Sequence, residues 1–271
     1  TVLAEQAPAL EPWLRARLAE RGSPVRSAAE LRLALSAEDA EGVRVQWPQG
    51  EPAWAALPGA GWRLTAPRLA CAATALVAGE LLLGPAGPEA RAARLRAVLS
   101  VQLPGRLELR TRQAVRGQGG PPLAQVVLDG GHNGEALAAL HAELQRWGVS
   151  GYTLLLGLQR DKLVPSLREP VQALLGAARR VLTLAPQTPR APRPEELRAF
   201  LAALLPAGAA LPGATVPEAP AALAAALETP ARPLVVTGSF WMLGDVMRLL
   251  QDAPPEPAPP RAPSALGSAP R

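Results

Sequence analysis

Residues 126–133 read VVLDGGHN. Val126, Val127 and Leu128 are the text of a strand covered on both faces. Asp129, His132 and Asn133 follow at once, separated by Gly130 and Gly131. A carboxylate, an imidazole and an amide are costly to place at a buried strand end without partners. Ligands of open parallel sheets sit beyond the carboxyl ends of the strands. This stretch therefore predicts both a fold class and the place of a site.

The same grammar repeats downstream. Apolar runs AQVVLDG (124–130), GYTLLLG (151–157), RRVLTLA (179–185) and RPLVVTGS (232–239) read as strands. Helical text lies between and after them at 134–147, 162–178, 194–204, 217–228 and 240–250. Strands alternating with helices of this length predict βαβ units, hence an α/β domain with a Rossmann-like, mainly parallel sheet.

The N-terminal text is less regular. TVLAE reads as a strand and PALEPWLRARLAERG as a helix ended by Gly22 and Pro24. VRVQW (43–47) and GWRLTA (61–66) read as strands, 67–82 and 88–99 as helices. LPGRLE (103–108) carries a Pro-Gly turn and is the best boundary between two regions. GQGGPP (117–122) reads as a hairpin loop. The tail DAPPEPAPPRAPSALGSAPR (252–271) is too rich in Pro and Ala to pack a core, and disorder is expected there.

Composition narrows the partners. Net charge is +5, but 27 arginines stand against a single lysine and are scattered, with aromatics at only 3%. Without a basic stripe or interleaved aromatics, no nucleic-acid partner is expected. One cysteine, Cys71, leaves neither an internal disulfide nor a thiolate metal cluster. No apolar run is read as membrane-spanning and no signal peptide opens the chain, so no membrane partner and a cytoplasmic location are expected.

Two further strand exits carry chemistry. Lys162 is the one lysine in a chain that otherwise uses arginine, as if a compact ammonium were needed there. Thr237, Gly238 and Ser239 put hydroxyls and an approachable backbone at a helix start, where anions bind well. The plainer readings are a chance lysine and a simple helix-capping serine. A lone His132 would read as a satisfied histidine; beside Asp129 and Asn133 it does not.

LPGRLE, VVLDGGHN, LLLGLQRDK and LVVTGSFWMLGDV occur in that order. In series they resemble the C-terminal half of the folylpolyglutamate synthase/dihydrofolate synthase branch of the Mur ligase superfamily, over roughly residues 1–250. Peptidoglycan ligases of the superfamily usually carry an aromatic residue where Gly130 stands, which favours the folate branch. The resemblance implies an ATP-dependent ligase in which a folate carboxylate is phosphorylated and the amine of glutamate attacks the acyl phosphate. It implies the end of an α/β ATPase domain over 1–103, a hinge at 104–108, a Rossmann-like glutamate domain over 109–250 and a tail from 251. Arg106 then resembles the arginine reaching the ATP phosphates. Asp129 resembles the carboxylate that contacts the nucleotide and helps hold the domain closed. His132 and Ser239 resemble residues on the glutamate side of the cleft, with Lys162 in the loop beside them.

The implied cofactors are ATP and Mg, the implied partners small molecules (folate, glutamate, ATP), and a monomer is expected. The family's phosphate loop, its magnesium-holding Glu and His and its modified lysine all fall upstream of the matching region. This chain has no G-x-x-x-x-G-K-[ST] and no G-x-G-x-x-G. The chain is therefore expected to be a C-terminal portion, inactive alone, with a phosphate loop encoded roughly 130–150 residues earlier. Gly134 stands where the family usually has Pro, and Arg68 and Cys71 where it has Gln and Asn, so the usual adenine contact is not implied. The rival expectations are a non-catalytic binding relative and a peptidoglycan-type amino acid ligase.

Overall fold

The computed structural model describes residues 1–4, 6, 8–30, 32–35, 42–47, 53–56, 65–101, 103–112, 124–185, 187–205, 215–216, 218–227, 229 and 232–251. The GQGGPP loop, residues 61–64 and the Pro/Ala-rich tail lie outside them.

In the N-terminal region, strand β1 (Val2–Leu3) pairs in parallel with β2 (Arg26–Ser27) across helix α1 (Leu10–Glu20). Strands β3 (Arg32–Leu35), β4 (Gly42–Gln46) and β5 (Ala53–Ala56) form an antiparallel sheet. Helix α2 (Ala66–Leu83) and helix α3 (Pro88–Ser100) follow. GWRLTA does not end as a strand: the Thr65 hydroxyl caps α2 by accepting the Arg68 N–H at 3.3 Å. A helix so capped, with Pro67 in its first turn, starts where the strand was expected to finish.

Helix α2 also departs from expectation, being long and apolar enough to cross a membrane by length and composition. Its residues Ala72, Leu76 and Val77 pack instead with Val43, Val45, Trp47, Leu95 and Leu99 in a small core.

From Glu108 onward one six-stranded sheet organises the chain. Its strands are β6 (Glu108–Arg112), β7 (Ala124–Leu128), β8 (Tyr152–Leu156), β9 (Ala178–Leu184), β10 (Thr215–Val216) and β11 (Leu234–Thr237), in the order β10-β9-β8-β11-β7-β6. All neighbours are parallel except β6, which runs antiparallel to β7 at one edge. Val126–Leu128, Leu154–Leu156 and Val235–Val236 are fully buried, as continuous apolar strands covered on both faces must be.

Helices α4 (Gly134–Arg146), α5 (Arg168–Ala177) and α6 (Pro194–Ala202) cover one face through Leu137, Leu140, Val171, Leu174, Leu197 and Leu201. Helices α7 (Ala219–Leu227) and α8 (Phe240–Gln251) cover the other through Ala222, Leu223, Met242 and Val246. The helix expected over 162–178 is interrupted. Arg160–Lys162 and Pro165–Leu167 are single 3-10 turns, and α5 begins only at Arg168. Pro165 has no amide to continue a helix from the preceding turn.

The chain enters the sheet centre at β7, moves outward through β8, β9 and β10, and returns to insert β11 between β8 and β7. That reversal opens a crevice at the carboxyl ends of the central strands.

Candidate functional site

Asp129 leaves the end of β7 almost fully buried, at 5% exposure. Its Oδ1 accepts the Gly131 N–H at 2.8 Å and its Oδ2 the Leu107 N–H at 3.0 Å. Burial raises its pKa, while the two amides and the charges of Arg106 and His132 pull it back. Leu107 holds a φ of 46°, the one non-glycine residue among those described with positive φ. A left-handed non-glycine residue costs about 1–2 kcal/mol, and the Asp129 carboxylate offsets that cost by capping its amide. The position resembles a nucleotide contact in sequence; here both oxygens are already engaged by backbone. In this structure Asp129 ties the connecting turn to the end of β7.

Arg106 sits on that turn, exposed, with its guanidinium 4.5 Å above the Phe240 ring. Its carbonyl accepts from Arg68 Nη2 at 3.1 Å. The turn is held against β7 because Gly130 N–H donates to the Gly105 carbonyl at 2.8 Å. A Cβ on Gly130 would stand 2.3 Å from Phe240, and one on Gly105 2.3 Å from Leu243. An aromatic residue at 130 is thus excluded while Phe240 fills that space.

His132 follows at the start of α4, half-buried, its ring edge-on to Phe240 with centroids 6.1 Å apart. Its Nδ1 lies 2.9 Å from the Gly130 carbonyl. A carbonyl only accepts, so Nδ1 carries a proton, and in the neutral tautomer the lone pair lies on Nε2. Asn133 caps α4 by accepting the Ala136 N–H at 2.8 Å, which accounts for the third polar residue of VVLDGGHN.

At the end of β11, Gly238 holds a φ of 104° and passes so close to Gly157 that a Cβ would stand 2.5 Å from its carbonyl oxygen. This close approach delivers Ser239 to the crevice. The Ser239 Oγ is buried and has no hydrogen-bond partner among the described residues. Buried hydroxyls are rarely left so, and Ser239 lies in the wall of a cleft of about 220 Å³ lined also by His132, Gln159, Lys162, Arg190 and Trp241, with Gly238 and Phe240 completing it.

The cleft gathers His132, Lys162 and Ser239, from the exits of three different strands. Asp129, at the end of β7, and Arg106, on the connecting turn, are not among the residues that line it. Lys162 is half-buried with Asp161 Oδ2 3.5 Å from its Nζ. Arg190, Gln159 and Trp241 were not singled out by the sequence. Arg190 was masked by its type, one arginine among 27. Trp241 had a signal in adjacent Phe-Trp at a helix start, in a chain with two Phe and six Trp. Arg68, standing where the resemblance has a Gln, spends its guanidinium on the Arg106 carbonyl; burial lowers its pKa, with Glu108 opposing.

Cations, an open imidazole nitrogen and an unpaired buried hydroxyl suit a small carboxylate-bearing ligand. The residues do not fit a nucleotide's phosphates or their metal by themselves. The sequence has no phosphate-cradling loop, and among the described residues no three His, Cys, Asp or Glu gather into a metal site.

No protein-family model and no curated relative matches the sequence. Solved structures do match the fold. Folylpolyglutamate synthase of Mycobacterium tuberculosis, complexed with ADP and AMPPCP, superposes with a TM-score of 0.67 at 20% identity, over 92% of this chain and 55% of that one. E. coli FolC in complex with DHPP and ADP gives 0.65 at 19%, over 93% and 53%. The bifunctional folylpolyglutamate synthase/dihydrofolate synthase of Yersinia pestis, complexed with AMPPNP and Mn ion, gives 0.64 at 20%, over 92% and 52%. The chain spans about half the length of these proteins. Its fold is that of the C-terminal portion of the folylpolyglutamate synthase/dihydrofolate synthase structures, as the motif series implied.

Proposed function

We propose that this chain is the amino-acid-binding, C-terminal portion of an ATP-dependent amide-forming ligase that joins glutamate to a folate carboxylate. The observation that carries the reading is the unpaired, buried hydroxyl of Ser239, a residue that lines one cleft together with His132 and Lys162. Lys162 and the start of α8 attract the carboxylates of the amino acid. His132, fixed through Nδ1, turns Nε2 to the amine and can take its proton as the amide forms. Arg106, on the turn that Asp129 stiffens, is positioned to meet phosphate charge arriving from the nucleotide side. Phosphate loop and metal chemistry belong to the other portion of such a ligase, and no step here runs through them. The packing of Phe240 against Gly130 supports the folate branch over the peptidoglycan branch.

The test joins this chain to the phosphate-loop portion of such a ligase and measures folate- and glutamate-dependent ADP release. His132→Ala should lower turnover about 10²–10⁴-fold and raise the glutamate requirement while nucleotide affinity holds. A variant that keeps turnover and glutamate affinity and only melts earlier would make His132 architectural. Residues 1–271 alone should bind Mg-ATP weakly or not at all, since backbone amides and a lysine normally hold the phosphates. Micromolar affinity in calorimetry contradicts that expectation.

A further inference from the structure

We infer that Arg190 reads the side-chain carboxylate of the incoming amino acid and so sets the preference for an acidic one, an inference that rests on the ligase reading above. The cleft is lined by two permanent cations from separate loops, Lys162 and Arg190. Lys162 has Asp161 beside it at 3.5 Å. Arg190 is exposed and has no acidic partner among the described residues. Its placement is fixed by backbone: the Arg160 N–H donates to the Arg190 carbonyl at 2.9 Å, and the Arg190 N–H donates to Thr188 Oγ1 at 3.3 Å. The loop after β9 is thereby tied to the turn that carries Lys162. Two like charges held on one small cleft repel unless an anion joins them.

The strand order says which end of a ligand meets which group. His132 follows β7 and Ser239 follows β11, and these strands are neighbours; β8 comes next, then β9, the strand before Arg190. Neighbouring strands lie roughly 4.8 Å apart, so Arg190 stands about two strand spacings from the Ser239 exit, less what its long side chain recovers. An amino acid with its amine at His132 and its α-carboxylate at Ser239 must extend its side chain past the β8 exit toward Arg190. A guanidinium there can grip a carboxylate with two parallel hydrogen bonds. A neutral side chain of the same length would leave that charge unanswered, and sites of this kind reject such ligands strongly.

Titration calorimetry of the 271-residue chain with L-glutamate and L-glutamine tests this. The wild-type chain should favour glutamate about tenfold or more. Arg190→Met should abolish the preference while leaving glutamine affinity within about twofold, and Arg190→Lys should restore part of it. Ser239→Ala should weaken both ligands by the same factor. If Arg190→Met keeps the preference for glutamate, or weakens both ligands equally, Arg190 is not the discriminator and the ligase reading stands without it. If the wild-type chain binds neither ligand, or both alike, the acidic-ligand reading of the whole cleft fails and takes the Arg190 assignment with it.

Discussion

In the N-terminal region, a Cβ built on Gly22, Gly79, Gly84 or Gly87 would meet no heavy atom within 4 Å. At the strand exits, a Cβ on Gly105, Gly130, Gly157 or Gly238 would stand 2.3–2.5 Å from a neighbour, and at Gly157 and Gly238 that neighbour is a backbone carbonyl. The first set serves turns, termini and helix texture. The second exists because separate backbone segments must nearly touch for their side chains to converge on one crevice. Close approach of main chains marks a built site more sharply than the polar residues do, since a capping serine or a stray lysine can stand anywhere.

Substitutions that fill these spaces test the contrast, and Gly238→Ala should have the largest effect. A φ of 104° strains any L side chain, and the Gly157 carbonyl cannot swing aside as a flexible side chain would. A loss on the order of 3–4 kcal/mol in urea unfolding is expected. A loss below about 1 kcal/mol would mean that the crevice backbone relaxes easily, and the contrast would collapse.

Asp129→Asn comes next, at about 1–3 kcal/mol, because an amide cannot accept both the Leu107 and Gly131 N–H groups. Its pH dependence is distinctive. Burial raises the folded-state pKa of Asp129 above the unfolded value. The carboxyl's stabilising contribution is therefore full below the unfolded pKa and declines as pH rises through the folded one. The gap between wild type and Asp129→Asn should narrow across that mildly acidic window, as read by melting temperature. A gap that widens with pH would reverse the sign assigned to burial.

Gly79→Ala should move least and in the other direction. In the interior of α2 and with open space at its Cβ, it should stabilise by roughly 0.5–1 kcal/mol. Loss of stability there would show that α2 packs more tightly than its surroundings indicate.

The sequence made the central sheet legible because β7, β8, β9 and β11 are continuous apolar text, which few other structures tolerate. It did not reveal β3 and β5, whose RLAL and AWAA are short and rich in alanine. It joined 162–178 into one helix because the apolar spacing continues across Pro165 even though the backbone does not. Within the site, Lys162 was visible as an exception to a strong bias and Arg190 invisible as an instance of it. Asp129 was legible as important, but its direction was not. Nothing in VVLDGG says that the carboxylate turns back to a strained amide 22 residues earlier instead of outward to the cleft.

Glu143 carries a consequence for motion. This buried residue of α4 is ion-paired to Arg146 at 2.7 Å, and its other oxygen accepts the N–H of Ala66, the first residue of α2, at 2.8 Å. The Arg68 bond to the Arg106 carbonyl lies one half-turn further along the same helix end. Two regions stapled at both points cannot slide gradually against each other. A swing that separates them breaks these bonds and leaves the Ala66 amide unpaired, while Glu143 keeps Arg146. The joint should behave as a latch with two discrete settings, open or shut, and hydrogen exchange at the Ala66 amide would report the moment it lets go.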